Sequence, residues 1–167
     1  MGQMTKDRAE VEQRRKAQGI TSMYFNRYLA IRYLNAIFLF ANLYWVILMV
    51  GTRQTLWMWP LALLLGVTAV TVEQVRKYWD RSNRLPITRI TYFFQGASNA
   101  LALIFVAAGK LQWVFPFMSA KSVPTVLIVL GLGLLIAVFI EYKTYKIEHD
   151  KDRRYLRNMK NYQESLQ

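Results

Sequence analysis

The sequence predicts an all-α integral membrane protein with four transmembrane helices, a helical cytoplasmic amino-terminal segment and a helical cytoplasmic tail. Three features carry that expectation: four long uncharged runs, a lopsided placement of lysine and arginine, and helix punctuation at the ends of the runs. No Asp, Glu, Lys, Arg or His occurs from Tyr33 to Val50, Leu56 to Val72, Ile90 to Ala108 or Val123 to Ile140. Each run approaches the roughly 20 apolar residues that cross a hydrocarbon core of about 30 Å. Bulk composition alone would not reveal this, because 54% apolar residues coexist with 19% charged ones. The expected organisation is a basic segment at 1–32, a bundle at 33–140 with spans near 33–50, 56–73, 87–108 and 123–141, and a charged tail at 141–167.

Orientation follows from the second feature. Of the 22 basic residues, seven lie before the first span, five in the middle loop (Arg76, Lys77, Arg81, Arg84, Arg89) and seven in the tail. Only Arg53, Lys110 and Lys121 lie in the other two loops. Loops facing the cytoplasm retain Lys and Arg, so both termini and the middle loop are expected inside. The net charge of +12 is then explained by topology and by attraction to anionic lipid headgroups rather than by nucleic acid. A plasma-membrane location is expected. No small-residue cleavage pattern follows the first run, so it is expected to be retained.

Punctuation supplies the third feature. Gly19 is expected to interrupt an amino-terminal helix that carries Glu10 and Arg14 at i,i+4 spacing, and Ser22 to cap a new helix leading into the first span. Gly51 and Gly109 suit helix ends, since glycine readily takes the left-handed conformation. Pro60, Pro86 and Pro124 fall in first turns, where a missing N–H costs little. Ser82 or Asn83 is the expected cap of the third span. The fourth span is expected to run without a breaker into the tail, where Glu148 with Lys151 and Asp150 with Arg153 and Arg154 sit at helical pairing distance. Tyr155, Met159 and Tyr162 form a stripe suited to a partner, to the middle loop, or to lying near headgroups. W-M-W-P at Trp57–Pro60 and W-V-F-P at Trp113–Pro116 hint at a duplicated hairpin.

Few residues within the spans carry polar chemistry. Asn35 and Asn42, seven apart, share one face of the first span; Gln95, Ser98 and Asn99 form a patch on the third. Amides in lipid need partners, and interhelical hydrogen bonds supply them at roughly 0.6–2 kcal/mol each. These five residues therefore either glue the bundle or line a polar path, and glue is favoured. Small residues at Ala62, Gly66 and Ala69 lead to Glu73, and Gly133 and Ala137 lead to Glu141. Both glutamates fall about 26 Å along their helices from the outer ends, near the inner edge. Pairing with interfacial Arg or Lys is the expected role, with gate or docking charges as the alternative.

Catalytic chemistry finds little support. His149, the sole histidine, lies in the charged tail, and there is no cysteine. No metal-ligand cluster, nucleophile motif or phosphate loop occurs, so no cofactor is expected. The expected function is a non-enzymatic accessory or scaffold subunit working with a membrane-protein partner or as a homo-oligomer. The alternative is a small oligomeric transporter or channel for a neutral or anionic solute. An enzyme acting on lipids would need catalytic groups that the sequence lacks.

Overall fold

The computed structural model describes residues 2–77, 79 and 82–164; Met1, Tyr78, Asp80, Arg81 and residues 165–167 lie outside the described residues, as do the side chains of residues 2–10, 12, 13, 17, 154 and 163, among them Lys6, Arg8, Glu10 and Arg154. Regular structure among the described residues is helical throughout: α1 (Gly2–Arg27), α2 (Leu29–Gly51), α3 (Met58–Arg76), α4 (Pro86–Ala107), α5 (Leu111–Val114), α6 (Val123–Glu148) and α7 (Arg153–Glu164). With the 3-10 turns that lead into α3 and α6, four segments are long and apolar enough to cross a membrane: Leu29–Gly51, Thr55–Arg76, Pro86–Ala107 and Ala120–Glu148. Their outward faces are apolar, as at Tyr33, Leu65, Phe93 and Leu135, each about two-thirds exposed.

Helix α4 is central. It packs most extensively on α6 and also on α3, α2 packs mainly on α3, and a thinner α2–α6 contact closes the bundle. Two apolar clusters form the core. One, toward α1 and α7, includes Ile31, Phe38, Val70, Tyr92, Ala137 and Ile140. The other includes Ala102, Val106, Leu111, Phe115, Val126 and Leu130. Along α2, α4 and α6 the residues between the two clusters are Asn42, Gln95 with Asn99, and Gly133. A polar layer thus divides the core.

The helix ends refine the expected punctuation. Gly109, at φ +78°, takes the left-handed position after α4, and the N–H groups of Gly109 and Lys110 close back on Val106 and Phe105. After α2 the same closure uses Arg53, at φ +54°, while Gly51 stays in the helix. The two glycines are therefore not equivalent. Nor are the two tryptophan motifs: Trp57–Pro60 runs from the 3-10 turn into α3, whereas Trp113–Pro116 leaves α5 for the following loop. The hint of duplication has no structural counterpart at these positions.

Gly19 does not interrupt α1, which continues to Arg27 before a break at Tyr28. Its lack of a side chain serves a contact instead, because a Cβ there would overlap the Tyr162 hydroxyl of α7. The tail in turn is not one continuous helix. Asp150, at φ +49°, sits left-handed in the turn between α6 and α7, a conformation that aspartate tolerates better than most residues. Past this turn α7 lies against α1, with the Tyr155 and Tyr24 rings edge-on at 6.1 Å. Burial, aided by Tyr24 and opposed by Arg27, pushes the Tyr155 phenol up to about 12, so it docks uncharged. The aromatic stripe therefore covers the protein's own amino-terminal helix. Gly19→Ala is expected to push Tyr162 aside and weaken this contact, set against the gain of about 1 kcal/mol that Ala brings to a helix interior. Amide exchange should then accelerate in α7 while the four long helices stay protected.

Candidate functional site

All five polar residues singled out on the first and third spans, Asn35, Asn42, Gln95, Ser98 and Asn99, are buried. They form three groups rather than one. Asn42 donates through Nδ2 to Gln95 Oε1 at 2.9 Å, and Gln95 Nε2 donates to Asn99 Oδ1 at 3.3 Å. This relay joins α2 to α4, so Asn42 reaches Asn99 through Gln95. Two turns away, Asn35 donates to Thr71 Oγ1 on α3 at 2.8 Å and accepts from the Tyr92 hydroxyl of α4 at 2.8 Å. Asn35 thereby bridges three helices. Ser98 stands apart and accepts from Trp59 Nε1 at 2.7 Å. Among the described residues, none of the side-chain polar atoms in these five is both buried and unpaired.

The small residues divide in the same way. Ala137 is buried against Gly96, and Gly66 faces Thr91, so both serve close packing on α4. Gly133 serves the polar layer directly, since a Cβ there would stand 2.7 Å from Asn99 Nδ2 and 3.9 Å from Phe38. Gly133→Ala is expected to displace Asn99 from Gln95 and to destabilise the bundle by about 1–3 kcal/mol. Thermal unfolding in detergent would show this, and unaltered stability would mean that the layer has slack.

The two glutamates part company. Glu73 is buried and makes no ion pair among the described residues; it caps α4 instead. Its Oε1 accepts from the Ile87 N–H at 3.1 Å, and its Oε2 accepts from the Thr88 N–H at 2.8 Å and the Thr88 hydroxyl at 2.6 Å. Thr88 Oγ1 also accepts from Gln74 Nε2 at 3.2 Å. A carboxylate there answers the unpaired N–H groups and positive dipole of a helix start. Neither Ser82 nor Asn83 caps α4, whose N-cap residue is Leu85. The matching glutamate from α6 is Glu148 rather than Glu141: it accepts from the Leu85 N–H at 2.9 Å and lies 3.9 Å from Arg89. Glu141, seven residues earlier, has Oε1 buried without a hydrogen-bond partner.

Asn83 is free for another task because Glu73 and Glu148 hold α4. Arg27, at the end of α1, donates to Asn83 Oδ1 at 2.9 Å and to Asp150 Oδ1 at 3.1 Å. Asn83 Nδ2 donates to the same Asp150 oxygen at 2.8 Å, and Asp152 lies 4.0 Å from Arg27 Nε. The guanidinium also sits 4.6 Å from the centre of the Tyr155 ring. One buried cation thus ties α1, the middle loop, the turn after α6, and α7. The expected local pairs of Glu148 with Lys151 and Asp150 with Arg153 give way to these long-range contacts.

Thr71, Tyr92, Trp59, Glu148 and Arg27 complete the site and were not foreseen. Tyr92 had a signal: it lies three residues before Gln95 and seven before Asn99, on the same face of α4. Comparison with protein-family models, curated proteins and solved structures finds no match. The geometry stands alone as the guide to function.

Proposed function

We propose that the protein is a non-enzymatic, multi-pass membrane protein with both termini cytoplasmic, serving as an accessory or scaffold subunit of a membrane complex. The apolar outer faces of the four long helices support insertion, because a hydrocarbon solvent removes the cost of exposing such a surface. The concentration of Lys and Arg in the amino-terminal segment, the middle loop and the tail supports the orientation. One observation carries the non-transport reading: the intramembrane amides are bonded to one another and to Thr71, Tyr92 and backbone. A solute path keeps its polar groups for its passenger, whereas each of these buried amides bonds to another side chain within the bundle.

Cysteines placed at Gln54 and Ser119 should react with an impermeant reagent from outside the cell, and cysteines at Ser82 and Gln163 should not. Extraction in mild detergent should bring down a membrane partner in stoichiometric amount. Reconstituted alone in liposomes, the protein should pass neither neutral nor anionic solutes. Solute flux that disappears in Asn42→Leu would replace this reading with that of a transporter.

A further inference from the structure

Arg27 and Arg32 lie near one another in sequence but differ in one respect. Arg27 has Asp150 and Asp152 beside it, whereas no carboxylate pairs with Arg32 among the described residues. Arg32 donates from Nη2 to the Gln74 carbonyl at 2.8 Å and stacks on Phe25, its Cζ 4.0 Å from the ring centre. Its Nε is buried and unpaired. A positive charge held at the edge of an apolar span without a counter-charge is costly, and an anion supplied from outside the chain offsets that cost.

The space beside Arg32 is shaped for such an anion. A groove of about 370 Å³ runs between α2 and α3, with Phe25, Arg32, Gln74 and Trp79 toward one end and Asn35, Ala36, Leu39 and Thr71 deeper. Asn35 and Thr71 are bonded to each other, so aromatic rings and a cation at the mouth with a largely apolar wall behind follow the order of a lipid from headgroup to acyl chain.

We propose that this groove binds one anionic glycerophospholipid, its phosphate against the Arg32 guanidinium and the first carbons of one chain along Ala36 and Leu39. This rests on the reading that the bundle spans a membrane with its basic end at the anionic leaflet. Cysteine labelling tests that reading, and lipid retention tests the groove, so each can fail by itself. The bound lipid supplies the charge that the fold withholds from Arg32.

The test is native mass spectrometry of the detergent-purified full chain with dioleoylphosphatidylglycerol or dioleoylphosphatidylcholine. Wild-type protein should retain one phosphatidylglycerol with about five- to tenfold preference, the effect of roughly 1 kcal/mol or slightly more from one interfacial cation. Arg32→Gln should reduce that preference to near unity, and Arg53→Gln, at the opposite end, should preserve it. Ala36→Trp keeps the charge but fills the groove, and it should lower retention even if Arg32→Gln fails to fold. Equal losses in Arg32→Gln and Arg53→Gln would overturn the proposal by showing general charge attraction. Full retention in Ala36→Trp, or displacement by inorganic phosphate at the lipid's own concentration, would overturn it as well.

Discussion

Arg27→Met is expected to loosen the basic end of the bundle before any long helix unfolds. The replacement fills much of the same volume but removes the donors to Asn83 and Asp150 and the cation over Tyr155. Hydrogen bonds to charged groups contribute about 1.5–3 kcal/mol each. Asp150 is half exposed and recovers part of its share from water, so a total loss of about 3 kcal/mol is expected rather than the full sum. Amide exchange in α7 and in the residues around Asn83 should rise first. Arg27→Lys keeps the charge but not the fork that reaches both partners, and it should fall between wild type and Met. Wild-type stability with unchanged protection of α7 would show that these contacts carry no energy.

Glu73→Gln is expected to cost about 2–4 kcal/mol, combining lost charged hydrogen bonds with a lost helix-dipole interaction. Glutamine has one side-chain oxygen, so its amide nitrogen would confront either the Ile87 or the Thr88 N–H. Glu141→Gln makes the contrast. Its Oε1 is buried with no donor beside it, so exchanging the carboxylate for a neutral amide should leave stability unchanged or improve it. Thermal unfolding of the two variants in the same detergent decides the matter. Equal modest losses would support the interfacial pairing that the sequence alone suggests, and would contradict the cap.

That contrast shows where sequence reading stops. The four long helices were legible because hydrocarbon length and the exclusion of charge act on each segment separately. The burial of Asn35, Asn42, Gln95, Ser98 and Asn99 was legible because a polar side chain in an apolar run has to find a partner. Which partner it finds depends on rotation and depth between helices, and no single helix encodes that. Glu73 and Glu141 end similar small-residue stripes, yet only Glu73 arrives level with the start of α4, and Glu148 is the residue of α6 that does. Gly19 read locally as a helix breaker, whereas its role is to admit Tyr162 from a helix more than a hundred residues away. Asp150 read as part of a solvated helical pair pattern because Arg27, its partner, lies at the other end of the chain.

The central claim is that the amides buried between the long helices hold the bundle together, and a double-mutant cycle on Asn42 and Gln95 tests it most directly. Asn42→Leu leaves Gln95 without its donor, and Gln95→Leu leaves both Asn42 and Asn99 short of a bond, at about 1–3 kcal/mol for each orphaned amide. The double variant removes donor and acceptor together and leaves only Asn99 short of a bond, so its loss should fall below the sum of the singles. A coupling of about 1–2 kcal/mol is the expected result for residues in direct contact. Two singles that each unfold like wild type, and that add within about 0.5 kcal/mol, would mean that water already satisfies both amides. That result would contradict the account, because a layer open to water is a path rather than a joint.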